Sequence, residues 1–107
     1  MASIIFTSAG GIKAASFKTT SSRAKKENIE KTEIKATDLL NKVDVVDFTF
    51  KSDAEKEPHI GFIAEDTDPI LSSPSKDQMD LGNCIGVLIK AVQELSEEVE
   101  KLKQKIN

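Results

Sequence analysis

A serine and a lysine stand five residues apart where the chain changes character, at Ser21 and Lys26. A serine hydroxyl can attack a carbonyl, and a neutral lysine amine can take its proton. The spacing by itself is commonplace, and it sets a constraint. On a strand, residues five apart point to opposite faces. On a helix they lie about 140° apart around the axis. The segment must loop back, or a lysine from a neighbouring chain must serve. Chemistry adds a second constraint. Lysine titrates near ~10.4 when exposed. To act as a base it must be desolvated, or crowded by a cation such as Lys25, and fall toward ~7–8. Burial in an assembled oligomer would supply that.

Other side chains invite plainer accounts. His59 is the single histidine and follows Pro58. It has no Cys or His companion to share a metal, so it is expected to make a structural or site-supporting hydrogen bond. Asp66, Asp68, Asp77 and Asp80 flank a loop but lack calcium-loop spacing and its glycine. They are expected to serve turns and caps. Cys84 is the lone cysteine, which excludes an intrachain disulfide. It is expected to be an ordinary reduced thiol near the start of a helix. No metal and no cofactor is expected.

These residues need elements to hold them, and the strongest element is C-terminal. In the run Leu81 to Ile106, apolar residues fall at Ile85, Leu88, Val92, Leu95, Val99, Leu102 and Ile106. The steps alternate three and four. That is a heptad with Ile85, Val92, Val99 and Ile106 at a, and Leu88, Leu95 and Leu102 at d. Helix 81–106 would be a rod of roughly 39 Å. Glu98 at g precedes Lys103 at the following e, and Glu97 with Lys101 makes an i,i+4 pair. Lys101, Lys103 and Lys105 suit the negative end of the helix dipole. So narrow a seam asks for partner helices. The alternative is an amphipathic helix lying on its own domain. β-branched residues at a with Leu at d favour two parallel strands on heptad chemistry alone.

Upstream, 107 residues allow one small domain with a modest core. Net charge is −3, unevenly spread. Residues 1–20 hold Lys13 and Lys18 and no acid, so all 18 acids lie beyond them. Ser3 to Thr7 and Ile12 to Thr20 are expected as two short strands around a turn at Gly10-Gly11. This leader is rich in small and hydroxyl side chains, like the tail end of something else. Arg23, Lys25 and Lys26 are followed at once by Glu27, Glu30 and Glu33, which argues against nucleic acid as a partner. Ile4-Ile5-Phe6 lacks the basic flank and apolar length of a signal peptide, and no stretch approaches a membrane span. The expected setting is a cytoplasm.

Between leader and rod, Thr37 is expected to N-cap a short helix, Asp38 to Lys42, with Leu39, Leu40 and Val43 inward. Val45 to Lys51 alternates as a strand, with Val46, Phe48 and Phe50 on its buried face. Ser52 to Pro58 is a charged loop. His59 to Glu65 is expected as a second strand, with Gly61 permitting close backbone approach. Its Gly61-Phe62-Ile63-Ala64 portion is expected to form the core, packed on Phe48 and Phe50. Thr67 to Gln78, with Pro69 and Pro74, is expected as a long connection. Asp80 stands where a helix start favours a carboxylate.

Three motifs in order resemble a known family. Ser21 to Ile29 is similar to the pattern Ser-(Ser/Asp)-x-Arg-x-Lys-Glu-Asn-Ile. His59-Ile60-Gly61-Phe62-Ile63-Ala64-Glu65-Asp66 resembles His-x-Gly-Phe-Ile-Ala-(Gln/Glu)-(Asp/Glu). Ala91-Val92-Gln93-Glu94-Leu95 resembles the closing Ala-(Ile/Val)-Gln-Glu-Leu helix. The family is the intramolecular chaperone auto-processing domain, or S74 peptidases, of phage tail spikes, tail fibres and endosialidases. The likeness covers Ser21 to Ile106.

The resemblance implies an α+β fold: a small globular domain of short strands and a short helix, then a parallel trimeric coiled coil. It implies residues 1–20 as the end of an upstream fibre or spike stalk, and 21–107 as the chaperone domain, with 81–106 the coiled-coil helix. It implies a homotrimer rather than a dimer. It implies a domain that helps the stalk of its own polypeptide fold and then removes itself by autoproteolysis between Thr20 and Ser21. Ser21 is then nucleophile and Lys26 base, with Arg23 and His59 as candidate supports. Location would be the host cytoplasm during virion assembly, with release after cleavage. One departure stands out: the family usually carries Arg two places before the lysine, where this chain has Ala24. A register with Lys25 as base also keeps a residue five before it, Thr20, but loses the Lys-Glu-Asn-Ile match. The competing function is a non-cleaving coiled-coil oligomerisation module.

Overall fold

The computed structural model describes residues 5–6 and 10–106. The chain divides into two units, Met1–Thr32 with Thr49–Glu57, and Glu33–Phe48 with Pro58–Asn107.

In the first unit, β1 (Ile5–Phe6) pairs antiparallel with β2 (Ile12–Lys13), Phe6 opposite Ile12. Gly10 at φ +86° supplies a backbone conformation for which glycine is suited. The strands are shorter than expected: Lys13 ends the ladder, while Ser3, Ile4 and Thr7 lie outside the described residues. All four paired residues are exposed, so no packing prolongs the ladder. The unit's second segment is a charged turn. Asp53 accepts from the Glu55 and Glu57 amides at 3.0 and 2.9 Å.

The second unit holds α1 (Ala36–Leu40), β3 (Val46–Phe48), β4 (His59–Gly61), α2 (Pro69–Ser72) and α3 (Leu81–Ile106). The fold is α+β, with short strands and one long C-terminal helix. β3 and β4 pair antiparallel, with Val46 opposite Gly61 and Phe48 opposite His59. A Cβ on Gly61 would meet Phe48 Cε1 at 3.3 Å, so the glycine permits that ring to lie close. Beyond Gly61 the expected strand stops. The Asp66 amide bonds the Ile63 carbonyl, making a 3₁₀ turn over Ala64–Asp66. β3 likewise ends at Phe48, and Phe50 is exposed rather than on a buried face.

The core is small: Ala36, Leu71, Val87 and Ala91 are buried. Leu39, Leu40, Val43, Phe62, Ile70 and Cys84 pack against it while partly exposed. Its centre is therefore not the Gly-Phe-Ile-Ala segment. It includes Leu71 of α2, which lies inside the stretch expected as a connection. Asp68 and Pro69 make that helix: the Asp68 carboxylate caps the Ile70 amide at 2.9 Å, and proline suits the first helical position. The start of α3 satisfies its carbonyls. The Asp80 amide bonds Leu71 O at 2.8 Å, and the Asn83 side chain bonds Ile70 O at 2.9 Å. Asp80 in turn caps α3 by accepting from the Asn83 amide at 2.9 Å.

Helix α1 begins earlier than expected, and Thr37 is inside it rather than its N-cap. The cap comes from α3. Glu94 accepts from the Ala36 amide at 2.8 Å, the Thr37 amide at 2.9 Å and the Thr37 hydroxyl at 2.8 Å. Lys35, at the N-cap position, offers no capping side chain. A carboxylate from a distant helix thus fills the place of a local cap. The amides of Thr37 and then Ala36 hold the Glu94 carboxyl below its ordinary 4.5, against the opposing effect of burial. The Thr37 hydroxyl and the Lys90 ammonium lower it further.

Two outcomes follow for stability. Leu71→Ala is expected to cost about 2–5 kcal/mol, and Phe62→Ala less, since Phe62 lies at the edge of the core. Urea midpoints of the two variants decide; a larger loss at Phe62 would contradict this core. Because the folded carboxyl is depressed, the Glu94 contribution is full above 4.5 and is lost as pH falls through the folded value. The melting-point gap between parent and Glu94→Gln should be present at neutral pH and close in acid. A gap that widens below 4.5 would contradict the cap.

Candidate functional site

Ser21 and Lys26 are brought together within the first unit. Lys26 Nζ donates to Ser21 Oγ at 2.8 Å. The device is one 3₁₀ turn, Arg23–Lys25. Ser22, extended at φ −70° and ψ 139°, caps it, its Oγ accepting from the Ala24 amide at 3.3 Å. The Lys25 amide bonds Ser22 O, and the Lys26 amide bonds Arg23 O, both at 3.1 Å. Lys26 is extended again at φ −122° and ψ 153°. A 3₁₀ turn uses three residues per revolution, so the chain regains its starting direction between the two flanks. Neither a strand nor an α-helix would do this for residues five apart. The segment loops back within one chain, and the lysine that reaches Ser21 is Lys26.

The contact lies within the range a general base needs. With lysine protonated, the ammonium donates to the hydroxyl. With lysine neutral, the same contact can run the other way and draw the hydroxyl proton. Both residues are exposed in the single chain, as are Thr20 and Arg23. Arg23 contributes its carbonyl to the turn. His59 lies in the other unit, stacked on Phe48 with ring centroids 5.5 Å apart.

The family model described as chaperone of endosialidase, peptidase S74, matches residues 21–74. The chain belongs to this family. The match to the endosialidase-chaperone family begins at Ser21 and ends just after α2. It spans the turn, the short helix and both strands of the second unit, and stops before α3. No match was found among curated proteins or solved structures.

Helix α3 spans the expected residues, Leu81–Ile106. One face, through Val87 and Ala91, is buried in the unit's core, with Cys84 and Glu94 on the same side. The heptad seam is a different face and stays bare. Ile85, Leu88, Val92, Leu95, Val99, Leu102 and Ile106 are 50–83% exposed. Burial, with Asp80 adding, raises the Cys84 thiol above its ordinary value, which suits an unreactive packing residue.

Two residues to which the sequence assigned no role of their own hold structure together, Ser22 in the first unit and Glu94 in the second. Ser22 had a legible signal, a serine at the start of a turn. Glu94 stands in the closing motif, but nothing there announces its capping role, because its partners are 57 and 58 residues away.

Proposed function

We propose that this endosialidase-family chaperone trimerises through α3, assists the folding of the fibre or spike stalk that precedes it, and then releases itself by cutting between Thr20 and Ser21. The observation that carries this reading is the 2.8 Å contact from Lys26 to Ser21, at the first residue of the family match. The bare heptad seam supports assembly. α3 uses another face for its own domain, so the alternative of an amphipathic helix lying on that domain leaves the seam unexplained. The heptads favour two strands and the family likeness favours three; the proposal follows the family. Assembly would take place in the host cytoplasm, with the domain lost from the finished fibre.

The chemistry is an acyl shift followed by hydrolysis. Neutral Lys26 takes the Ser21 hydroxyl proton as Oγ bonds to the Thr20 carbonyl carbon. The carbon–nitrogen bond breaks, and Lys26 returns the proton to the departing Ser21 amine. Thr20 is now an ester on Ser21 Oγ. Water, deprotonated by the once more neutral Lys26, releases Thr20 as a carboxylate and restores the hydroxyl. Both side chains are exposed in the single chain, and a base works best where water is excluded, so the proposal puts cutting after neighbours cover the pair. Departure of the helper would make assembly irreversible, leaving the stalk held by its unfolding barrier.

Ala24, in place of the family's arginine, favours a second reading in which the assembled module stays uncut. The intact mass of the purified parent separates the two.

Ser21→Ala should give a folded, assembled and uncut protein. Lys26→Arg should do the same, because a guanidinium keeps its proton. Cutting in Ser21→Ala would eliminate the assigned nucleophile. Leu95→Asp sets carboxylates into the facing layers, where desolvation costs several kcal/mol per charge. That variant should sediment as monomer and stay whole although its Ser21–Lys26 contact is intact. A trimeric Leu95→Asp would show that α3 is not the assembly element, and a cut monomer would break the link between assembly and cleavage.

A further inference from the structure

The contact between Ser21 and Lys26 depends on a turn of three residues with little else to hold it. 3₁₀ turns of this length are weak on their own, because few hydrogen bonds offset the ordering of the chain. The turn residues are exposed, so packing within the unit does not hold them. What the turn has is its cap. Ser22 Oγ accepts from the Ala24 amide, and Ser22 O accepts from the Lys25 amide. The same residue thus anchors two consecutive amides of the turn, and it sits next to Ser21.

We infer that Ser22 is a positioning residue for the proposed self-cleavage: its hydroxyl caps the Arg23–Lys25 turn and thereby holds Lys26 against Ser21. It touches neither reacting atom in its role as cap. Its effect is on the fraction of chains in which the lysine is within reach. This inference rests on the function proposed above for its consequence, and on the turn geometry alone for its cause. It predicts a chemical pattern at position 22. Aspartate and asparagine cap as well as serine does, whereas alanine offers no acceptor.

The test has two readouts. The first is an NMR cross-relaxation contact between the Lys26 side-chain methylenes and the Ser21 β-protons. It should be present in the parent, Ser22→Asn and Ser22→Asp, and absent or strongly weakened in Ser22→Ala. Its absence in the parent, or its persistence undiminished in Ser22→Ala, overturns the inference whatever cleavage does. The second is the rate of cutting by intact mass, with sedimentation confirming unchanged assembly. Ser22→Ala should cut about fivefold more slowly, the population effect of losing an N-cap. Ser22→Asn and Ser22→Asp should restore the rate to within about twofold of the parent. Cutting at the parental rate in Ser22→Ala, or failure of both rescues, overturns it. Cutting in Ser21→Ala would instead sink the proposed nucleophile, while the cross-relaxation result would still decide the role of Ser22.

Discussion

Helix α3 has two apolar faces and only one chain's worth of domain to cover them. Val87 and Ala91 go to the core with α1 and α2, and small Ala36 and Ala91 fit a close approach. Glu94 fixes α1 to the same helix by capping its first amides. The globular fold of the second unit is therefore built on the rod rather than beside it. What remains is a strip of seven large side chains facing water over about three heptads. With four buried apolar residues among those described, this unit has little stability to spare. Covering the seam with copies of itself would stabilise the rod and, through Glu94 and the core, the domain fixed to it.

The Ser21–Lys26 contact obeys a different logic. It is made locally, by six consecutive residues, and its alignment needs only a capped turn. Whether that contact can do chemistry is another matter, because both side chains are open to water in the single chain. Alignment from the sequence and activation from assembly would be separate steps. On the proposed reading, that separation would keep the domain from detaching early. A dyad that was active in a lone chain would cut before the stalk had folded.

The long helix was legible from spacing alone, because an apolar period sustained over 26 residues is a strong helix signal. The turn at Gly10 and the close approach at Gly61 were legible for the same kind of reason: each glycine sits where a backbone demand is local. The Ser21–Lys26 contact was legible only in part. Its spacing said that the chain must loop back, and family likeness supplied the residues, but the 3₁₀ turn was not foreseen. The middle of the domain was read least well. Pro69 and Pro74 around Leu71 suggest a connection, yet proline at the first helical position and Asp68 before it are helix-start signals. The start of α1 was misplaced because its cap comes from Glu94, and no local pattern announces a cap that far along the chain.

The central claim is that Ser21 and Lys26 cut the chain only once copies have assembled. The most direct measurement is a time course of cutting after dilution from denaturant, by intact mass, at protomer concentrations spanning the assembly midpoint found by sedimentation. Cutting should follow the assembled fraction, falling steeply with dilution, and should yield a product that starts at Ser21. A rate that stays constant at concentrations where the protein is monomeric would contradict the account.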